Sequence, residues 1–307
     1  MADFLLVGGS GQVGRAWISL AQEKSFSLQV LSRTEVDLLN PDGIQANLTF
    51  HAKTLPSAVI LAAAYTQVDL AEKESEAARC INALSVREIA RWCASKNIPL
   101  LHYSTDYVYS GAGEHARTET EPTSPLNRYG ETKLEGENFI RESGCRHLIF
   151  RTSWVYDAEG KNFFKTMLKL GETHASLRVV CDQVGAPTYA PHLARASLSA
   201  LREALHEALG ETRVWGTYHL CAPGETNWFE FARAIFERAN ARIGTKIPNV
   251  IPIPTNDYPT PAKRPLNSRL DLTRARLLLG VDFDRDLPHW SLGLNECIET
   301  YLENTRR

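Results

Sequence analysis

The chain has 307 residues, of which 43% are hydrophobic and 23% charged, an ordinary composition for a globular protein. Its 34 Lys and Arg residues nearly balance 36 Asp and Glu residues. The formal net charge of -2 gives no general attraction to nucleic acid or to an anionic membrane. The longest apolar run, residues 58–65, is far shorter than the roughly 20 residues of a membrane-spanning helix. We therefore expect one large or two medium domains, with no nucleic-acid partner and no membrane partner.

The cysteines and histidines are scattered along the chain. None of the six cysteines belongs to a C-x-x-C pair, and the nine histidines form no H-x-H or H-E-x-x-H pattern. A zinc site and a dense disulfide framework are therefore not expected. The first residues lack the basic region of a signal peptide. These features predict a cytoplasmic protein that binds no metal.

Apolar segments of strand length alternate with helical patterns through the first half. The predicted strands are Asp3–Val7, Leu28–Leu31, Ser57–Ala63, Ile98–Tyr103 and His147–Arg151. The predicted helices between them are Val13–Ala21, Leu70–Ser95 and Leu126–Glu142. Strands separated by helices form parallel sheets with helices on both faces. The first half therefore predicts an α/β fold, a Rossmann-like doubly wound parallel sheet.

The second half contains more helices and fewer strands. The predicted helices are Asn162–Leu170, His192–Ala208, Asn227–Asn240 and His289–Glu303, and the predicted strands are Leu177–Cys181 and Thr217–Leu220. Six prolines between Pro248 and Pro265 exclude a regular helix and indicate an ordered extended loop. We expect a smaller C-terminal α/β domain over the carboxyl edge of the sheet. The predicted first domain is 1–153 with a returning segment at about 172–215, and the second is 154–171 with 216–307.

A glycine-rich turn follows the first strand. The sequence Gly8-Gly9-Ser10-Gly11-Gln12-Val13-Gly14 contains both G-x-G-x-x-G and G-x-x-G-x-x-G. Glycines let the backbone approach a pyrophosphate, and the following helix presents free N–H groups to it. The turn lies between the first strand and the first helix, as dinucleotide binding requires, although a purely structural turn would have the same composition. We expect Gly8, Gly11, Gln12 and Val13 to contact a dinucleotide.

The end of the second strand bears on the choice of dinucleotide. An acidic residue at its tip would accept a hydrogen bond from the 2′-hydroxyl of NAD, but Arg33 stands there and can hold a 2′-phosphate. Glu35 is close enough to keep NADH possible, and Arg33 could also be an ordinary solvated turn residue. We predict NADPH as the cofactor, with NADH possible.

A Y-x-x-x-K pattern and the strand before it predict the catalytic groups. Tyr129 and Lys133 are four residues apart, so on a helix they share one face. A free tyrosine titrates near pH ~10, and a neighbouring cation lowers its pKa, which would make Tyr129 an effective proton donor to a carbonyl. Ser104 and Thr105 bring hydroxyls to the carboxyl edge of the sheet, where they can stabilise developing negative charge.

The combination of these motifs is more specific than any one of them. A glycine turn, a strand-end Ser/Thr and Y-x-x-x-K in this order resemble the extended branch of the short-chain dehydrogenase/reductase superfamily. The segments similar to the dTDP-4-dehydrorhamnose reductase family are 104–109, 124–137, 150–156, 182–188 and 258–270. The similarity covers nearly the whole chain, including the proline-rich loop, where other members of the superfamily diverge.

This resemblance implies reduction of the 4-keto group of dTDP-4-dehydro-L-rhamnose (dTDP-6-deoxy-L-lyxo-4-hexulose) to dTDP-L-rhamnose with NADPH or NADH, for cell-surface polysaccharide synthesis. The first domain would bind the cofactor and the second the sugar nucleotide. The implied catalytic residues are Thr105, Tyr129 and Lys133. The implied cofactor contacts, besides the glycine turn and Arg33, are Asp37, Leu38, Ala62, Ala63, Ala64, Tyr65, Tyr129 and Lys133. The implied substrate contacts are Thr105, Asp106, Trp154, Asn162, Ala186, Pro187, Thr188 and Arg264.

Some of these implied roles have alternatives. Trp154 could be a core aromatic residue, and Arg264 could pair with an acidic neighbour rather than with the diphosphate. Some family members are dimers bridged by a metal through surface carboxylates. This chain has Arg15 and Pro191-His192 where acidic residues would be needed. We therefore predict no metal, and a monomer or weak homodimer.

Other functions within reach of this fold fit the sequence less well. A nucleotide-sugar 4,6-dehydratase places Asp-Glu after the threonine, whereas Tyr107 follows Asp106 here. An epimerase typically retains NAD, and the 2′-hydroxyl signature here is weak. The regulatory subunit of eukaryotic methionine adenosyltransferase resembles this family and acts by binding alone. The intact set of Thr105, Tyr129 and Lys133 favours an enzyme.

Overall fold

The computed structural model describes residues 4–207 and 214–305, so the predicted element ends at Asp3 and Ala208 lie outside the described residues. The strands are β1 (Phe4–Val7), β2 (Leu28–Leu31), β3 (Ala58–Leu61), β4 (Leu100–Thr105), β5 (His147–Thr152), β6 (Val155–Tyr156), β7 (Ser176–Val180), β8 (Val184–Gly185), β9 (Thr188–Tyr189), β10 (Gly216–His219), β11 (Thr226–Asn227) and β12 (Asn249–Ile253). The helices are α1 (Gln12–Lys24), α2 (Ile44–His51), α3 (Val68–Ala71), α4 (Ser75–Arg79), α5 (Ser85–Ser95), α6 (Arg128–Glu142), α7 (Phe163–Thr173), α8 (Ala190–Glu207), α9 (Trp228–Ile243), α10 (Thr273–Leu279), α11 (Phe283–Asp286) and α12 (Trp290–Thr305). Within these described ranges, no helix combines the length and the apolarity needed to cross a bilayer.

The centre of the fold is a six-stranded sheet in the order β10-β5-β4-β3-β1-β2. Each neighbouring pair of strands is parallel. The strand order reverses at β1, because β2 lies on one side of it and β3 on the other. In open α/β sheets, ligands bind in the crevice outside the carboxyl ends of the strands at such a switch point. The predicted Rossmann-like parallel sheet is confirmed.

Alternate residues of each central strand enter two separate hydrophobic cores, because successive side chains of a strand point to opposite faces. Leu6 packs on one face with Trp17 of α1 and Leu201 of α8. Leu5 packs on the other face with Ile89 of α5. Both faces of the sheet are covered, which explains why its strands are continuous apolar runs in the sequence.

The segment predicted as one helix, Leu70–Ser95, is divided into α3, α4 and α5. Between α4 and α5, Cys80–Leu84 form a π-helical turn. The turn brings buried Asn82 to the backbone of Tyr65, where it accepts from the N–H at 2.8 Å and donates to the carbonyl at 3.1 Å. Hydrophobic periodicity does not reveal the extra residue of a π turn, and such turns are frequent at functional sites.

A further hydrophobic core lies in the C-terminal half. It contains residues of α7, α9, α12 and β7. β7 pairs in parallel with β12, so part of the proline-rich segment predicted as an extended loop is a strand. This sheet has only two strands, and Pro252 is therefore on an edge strand, where a missing N–H is tolerated.

The structure corrects the predicted domain boundaries. β10 was assigned to the second domain but pairs with β5 at the edge of the central sheet. α10 and α11 also belong with that sheet, since Ala275 and Phe283 pack in the same core as α8. Conversely, β7 was assigned to the returning segment 172–215 but pairs with β12. Short apolar strands carry no local signal for the sheet they join, which is why the boundaries were wrong.

Candidate active site

The glycine turn after β1 lies at the switch point of the sheet. Gly8 has a φ of +102°, and a Cβ on it would collide with the backbone of Ala63. A Cβ on Gly14 would collide with the carbonyl of Gly8. Gly11 differs, because a Cβ there would meet only that carbonyl oxygen, at 3.6 Å. α1 begins at Gln12 without a side-chain cap, so its first N–H groups are available to an anion approaching the turn.

The turn after β2 carries an available cation. The Arg33 side chain is 79% exposed, and its Nε lies 4.0 Å from Asp37 Oδ1. Glu35 accepts from the hydroxyl of Ser32 at 2.6 Å and from its N–H at 2.7 Å, and these bonds lower the pKa of Glu35. Leu38, further along the turn, is buried. The Glu35 carboxylate is therefore occupied by hydrogen bonds within the turn, whereas the exposed Arg33 guanidinium can bind a phosphate.

The backbone after β3 forms the opposite side of the switch point. The N–H groups of Ala62 and Ala63 donate to the carbonyl of Val7, at 2.9 and 3.1 Å. Ala64 leads to Tyr65, whose backbone is held by Asn82 from the π turn. Nothing in the sequence pattern marked that asparagine. These contacts fix the segment 62–65 beside the glycine turn.

Thr105 and Tyr129 meet at the carboxyl end of β4. Thr105 is the last residue of that strand, and its hydroxyl donates to Asp106 Oδ1 at 3.0 Å. Tyr129 lies in the first turn of α6, close enough to Thr105 for the threonine hydroxyl to lower the pKa of its phenol. Gly130 allows this approach, since a Cβ there would collide with the carbonyl of Tyr107. The structure thus brings together the two hydroxyls predicted to act on a carbonyl.

Lys133 lies one helical turn after Tyr129, but its ammonium is bonded to β4. Its Nζ donates to the carbonyl of Tyr103 at 2.6 Å and lies 3.0 Å from His102 Nε2. Burial lowers the pKa of Lys133 to about 7. Burial also raises the pKa of Tyr129 to about 12, and the nearby Thr105 hydroxyl only partly opposes this. The expectation that Lys133 lowers the pKa of Tyr129 is therefore wrong for this structure.

Asp106 follows Thr105 directly and is only 3% exposed. Burial raises its pKa to about 6, although the hydroxyls of Ser268 and Thr105 lower it. A carboxyl group with this pKa changes between its charged and neutral forms near neutral pH. It can accept a hydrogen bond from a sugar hydroxyl when charged and donate one when protonated.

Trp154 and Trp228 form a stacked pair next to the end of β5. Their ring centroids are 3.8 Å apart and their planes differ by 16°. Trp154 has a φ of +48°, which is an uncommon conformation for a bulky residue. Its ring lies over Gly185, where a Cβ would approach within 3.0 Å, and Trp228 Nε1 donates to Gln183 at 3.1 Å. Trp154 is half-buried, and its stacking partner was not identified from the sequence.

Two of the predicted substrate contacts have their polar atoms engaged within the protein. Asn162 caps the N-terminus of α7, and its Nδ2 donates to Gln12 Oε1 at 2.8 Å. Asn162 therefore lies beside the glycine turn. Thr188 is fully buried and accepts from Ala222 N at 3.1 Å. The neighbouring Ala186–Pro187 segment is also buried, so these residues shape the structure around the site.

Arg264, from the proline-rich loop, is paired with Asp69 of α3. Its Nη1 and Nη2 donate to Asp69 Oδ1 and Oδ2, at 3.0 and 2.6 Å. The hydrogen bond from Arg264 lowers the pKa of that carboxyl. Asp69 also accepts from Ala262 N at 3.1 Å. Of the two alternatives for Arg264, the structure shows the acidic pairing, which fastens the loop to the cofactor side.

The side chains at the two positions noted for a bridging metal each contact a carboxylate of the same chain. Arg15 Nη2 lies 3.8 Å from Asp157 Oδ2. His192 Nε2 lies 2.7 Å from a carboxylate oxygen of Glu296. Within residues 4–207 and 214–305, three or more His, Cys, Asp or Glu side chains nowhere converge as metal ligands would.

A groove of about 740 Å³ lies elsewhere, beside β5 and β10. Glu119, Arg141 and Trp215 are among its lining residues, and it includes no predicted site residue. The hydroxyl pair, the buried lysine and the glycine turn all lie at the carboxyl ends of the strands. We therefore place the candidate active site there and not in the groove.

The fold and this site define an extended short-chain dehydrogenase/reductase. Residues 2–303 match the family model described as the RmlD substrate binding domain. The chain is 41% identical to dTDP-4-dehydrorhamnose reductase of Salmonella typhimurium, with 99% of each chain covered. The chain belongs to the dTDP-4-dehydrorhamnose reductase family.

Solved structures agree with this assignment. A dTDP-4-dehydrorhamnose reductase from Clostridium acetobutylicum superposes with a TM-score of 0.86 at 33% identity, covering 98% of this chain and 99% of that one. The enzyme from Bacillus anthracis, in complex with NADP, gives a TM-score of 0.85 at 32% identity, covering 97% and 99%. The family resemblance predicted from the sequence is confirmed.

Proposed function

We propose that this chain reduces the 4-keto group of dTDP-4-dehydro-L-rhamnose to dTDP-L-rhamnose, with NADPH as the hydride donor. The convergence of Thr105 and Tyr129 at the carboxyl end of β4, next to a glycine turn whose Gly11 is open on one side, carries this proposal. One hydroxyl can orient a carbonyl oxygen while the other donates a proton to it. Full-length relatives named for this reductase support the choice of substrate.

The residues at the switch point fit NADPH. The open side of Gly11 and the uncapped start of α1 would hold the pyrophosphate. Arg33 would pair with the 2′-phosphate, which NADH lacks, so NADH would be a weaker alternative. The other cofactor contacts would be Gly8, Gln12, Val13, Asp37, Leu38, Ala62, Ala63, Ala64 and Tyr65. When bound, the cofactor supplies the hydride for the carbonyl carbon.

Tyr129 would donate the proton that the reduced oxygen needs. Its pKa of about 12 keeps the phenol protonated at neutral pH, so the proton is present when the substrate binds. Thr105 would turn its hydroxyl from Asp106 to the substrate carbonyl and hold that oxygen in place. Lys133 would bind the nicotinamide ribose with the N–H that its two bonds to β4 leave unused.

The sugar nucleotide would lie between the sheet edge and the C-terminal core. The indole of Trp154, held by its stack on Trp228, would cover the apolar side of the deoxy sugar. Asp106 would bind a sugar hydroxyl, and Arg264 would exchange Asp69 for the diphosphate. The residues that would shape the site mainly by packing and backbone contacts are Asn162, Ala186, Pro187 and Thr188.

We infer a cytoplasmic enzyme that works without a metal, as a monomer or weak homodimer. All six cysteines are unpaired, as is usual in a reducing compartment. Arg15 and His192 stand where a bridging metal would need carboxylates, and each contacts a carboxylate of the same chain. The central-sheet domain would bind the cofactor, and the C-terminal core would supply the sugar-nucleotide side.

Product analysis tests the proposed function. The protein is incubated with NADPH, dTDP-glucose and the two enzymes that convert it to the 4-keto-6-deoxy sugar, and the product is identified by NMR. We expect dTDP-L-rhamnose, formed one for one with NADPH oxidised, and neither event without this chain. NADPH binding without turnover would indicate a binding subunit, and a different epimer would overturn the substrate assignment.

A further inference from the structure

We propose that His102 is a positioning residue for the reduction: it accepts a hydrogen bond from the Lys133 ammonium and holds that group where it meets the cofactor. The role of Lys133 toward the cofactor rests on the proposed function. His102 belongs to no motif and lies in the middle of β4, fully buried.

The geometry around Lys133 accounts for two of its three N–H donors. An ammonium has three donors, and burying it is costly unless they are satisfied. The carbonyl of Tyr103 takes one at 2.6 Å, and His102 Nε2, at 3.0 Å, takes a second. Both acceptors belong to β4, so the strand fixes the direction of Nζ. One N–H remains, which is what a ribose hydroxyl requires.

The second ring nitrogen of His102 indicates a functional reason for a histidine at this place. Nδ1 is buried and has no hydrogen-bond partner. A leucine would fill a similar space without leaving a polar atom unpaired, so packing alone does not favour histidine. A neutral imidazole can accept through Nε2 from a charged lysine, or donate through Nε2 to a neutral one. His102 can therefore bond Lys133 in either protonation state, but the bond to the charged ammonium is the stronger one and so favours the charged form.

Two titratable groups face this pair directly. Glu137, one turn further along α6, raises the pKa of Lys133 against the effect of burial. Burial first, and then Lys133 and His147 of β5, lower the pKa of His102, which is therefore neutral. The cationic partners of Glu137 are Arg151 and Arg141.

The charged groups on the other elements packed against α6 act on residues other than Lys133 and His102. Asp106, in the turn after β4, acts on Tyr129. On α4, Arg79 pairs with Glu135 in a partly exposed contact. Water screens such exposed pairs strongly. Of the interactions that act on Lys133 among the described residues, the hydrogen bond to His102 is therefore the one that a side-chain substitution can remove without changing a charge.

The proposal is tested with His102→Leu and His102→Gln. The amide oxygen of glutamine can accept from the ammonium, whereas leucine cannot. Loss of a bond to the charged form lowers a pKa, so we expect His102→Leu to lower the pKa of Lys133 by about 1 or more. At slightly alkaline pH this would weaken NADPH binding by about tenfold and shift the alkaline limb of kcat/KM toward lower pH. His102→Gln should keep both near wild type.

Tyr103→Phe is the matched control, because it changes the adjacent residue of the same strand. The Tyr103 hydroxyl accepts from Trp17 Nε1 at 2.7 Å and donates to Ser197 at 2.9 Å, away from Lys133. Its carbonyl, which binds Lys133, is unchanged. We expect a lower melting temperature and no change in the pH profile or in NADPH affinity.

A readout without turnover separates this proposal from the proposed function. The Lys133 titration is followed by NMR in the cofactor-free protein, with the signal identified by its absence in Lys133→Met. If the pKa of Lys133 and the NADPH affinity are the same in His102→Leu as in Tyr103→Phe, the proposal is wrong. His102→Met, of similar volume and with only a weak acceptor, serves if the leucine variant does not fold. Failure of wild type to reduce the keto sugar would overturn the proposed function and leave this test intact.

Discussion

The side chains of Thr105 and Tyr129 approach each other across the gap between the end of β4 and the first turn of α6, and the threonine hydroxyl lowers the pKa of the phenol. Gly130 makes this possible, because a side chain there would push the helix away from the carbonyl of Tyr107. The protein alone thus holds the two hydroxyls together, before any ligand binds. Such preorganisation is what gives fixed donors their catalytic value.

Removing the Tyr129 hydroxyl should abolish proton donation and leave the cofactor site intact. General-acid catalysis contributes about 10²–10⁴ in rate, so Tyr129→Phe should lower kcat by that factor. NADPH affinity, measured by fluorescence titration, should change little. Near-normal turnover would remove Tyr129 from the mechanism. Equal losses of turnover and affinity would show that the phenol serves mainly to bind the cofactor.

Arg33 should set the preference between the two cofactors. A charge-assisted bond contributes about 1.5–3 kcal/mol, so Arg33→Ala should weaken NADPH binding by roughly tenfold or more. NADH affinity should be nearly unchanged, because NADH has no 2′-phosphate. Arg178→Ala, which removes another mostly exposed arginine, is the control and should affect neither cofactor. Equal weakening of both cofactors by Arg33→Ala would instead place Arg33 on the shared pyrophosphate or in a structural role.

The stack of Trp154 on Trp228 should affect the sugar and not the cofactor. Aromatic pairs contribute about 0.5–1.5 kcal/mol beyond the area they bury. Trp228→Leu should therefore destabilise the protein modestly and raise KM for the keto sugar several-fold, since Trp154 loses its support. NADPH affinity should stay near wild type. Trp215→Leu, in the groove beside β10, should leave KM unchanged. If both variants behave alike, the stack has a packing role only.

Glu137 and Arg151 should be essential to stability. Glu137 is fully buried and its carboxylate accepts two bonds from Arg151, at 3.0 and 2.6 Å. Breaking a buried ion pair leaves one charge unpaired and costs about 3–5 kcal/mol. The free energy of unfolding of Glu137→Gln, measured with urea, should therefore be lower by that amount. Glu135→Gln on the same helix, whose pair with Arg79 is partly exposed, should cost at most about 1 kcal/mol.

The same pair has a pH dependence of defined sign. Burial raises the pKa of Glu137, but Arg151, Ser104 and Arg141 together lower it more, so the folded-state pKa is below the usual value. Its contribution to stability is therefore present at neutral pH and lost as the pH falls through the acid range. The stability difference between wild type and Glu137→Gln should shrink on acidification. A difference that stays constant with pH would contradict the ion-pair assignment.

The sequence predicted those features of the fold and site that depend on a single local property, such as hydrophobic periodicity or residue spacing. Alternating apolar strands and helices predicted the parallel sheet, and the glycine turn after β1 predicted its ligand-binding edge. The spacing of Tyr129 and Lys133 predicted that they share a helix face, and both lie on α6. It could not show that the ammonium of Lys133 turns to β4, because that depends on acceptors from a different element.

The features that were missed depend on tertiary context. The π turn that delivers Asn82 adds one residue to a helix without changing its composition. Trp228 acquires its role only because α9 places it against Trp154. β10 pairs with β5 in the central sheet although more than sixty residues separate the two strands in the sequence. A four-residue strand carries no sequence signal that identifies its partner.

Isotope transfer tests the central claim most directly. The protein is supplied with the 4-keto sugar nucleotide and with NADPH that carries deuterium at both hydrogen positions of nicotinamide C4, and the product is analysed by mass spectrometry and NMR. If this site reduces the 4-keto group, the product dTDP-L-rhamnose carries one deuterium, at C4 of the sugar, and Tyr129→Phe slows its formation. Oxidation of the cofactor with no deuterium in the sugar, or with deuterium at another carbon, would contradict it.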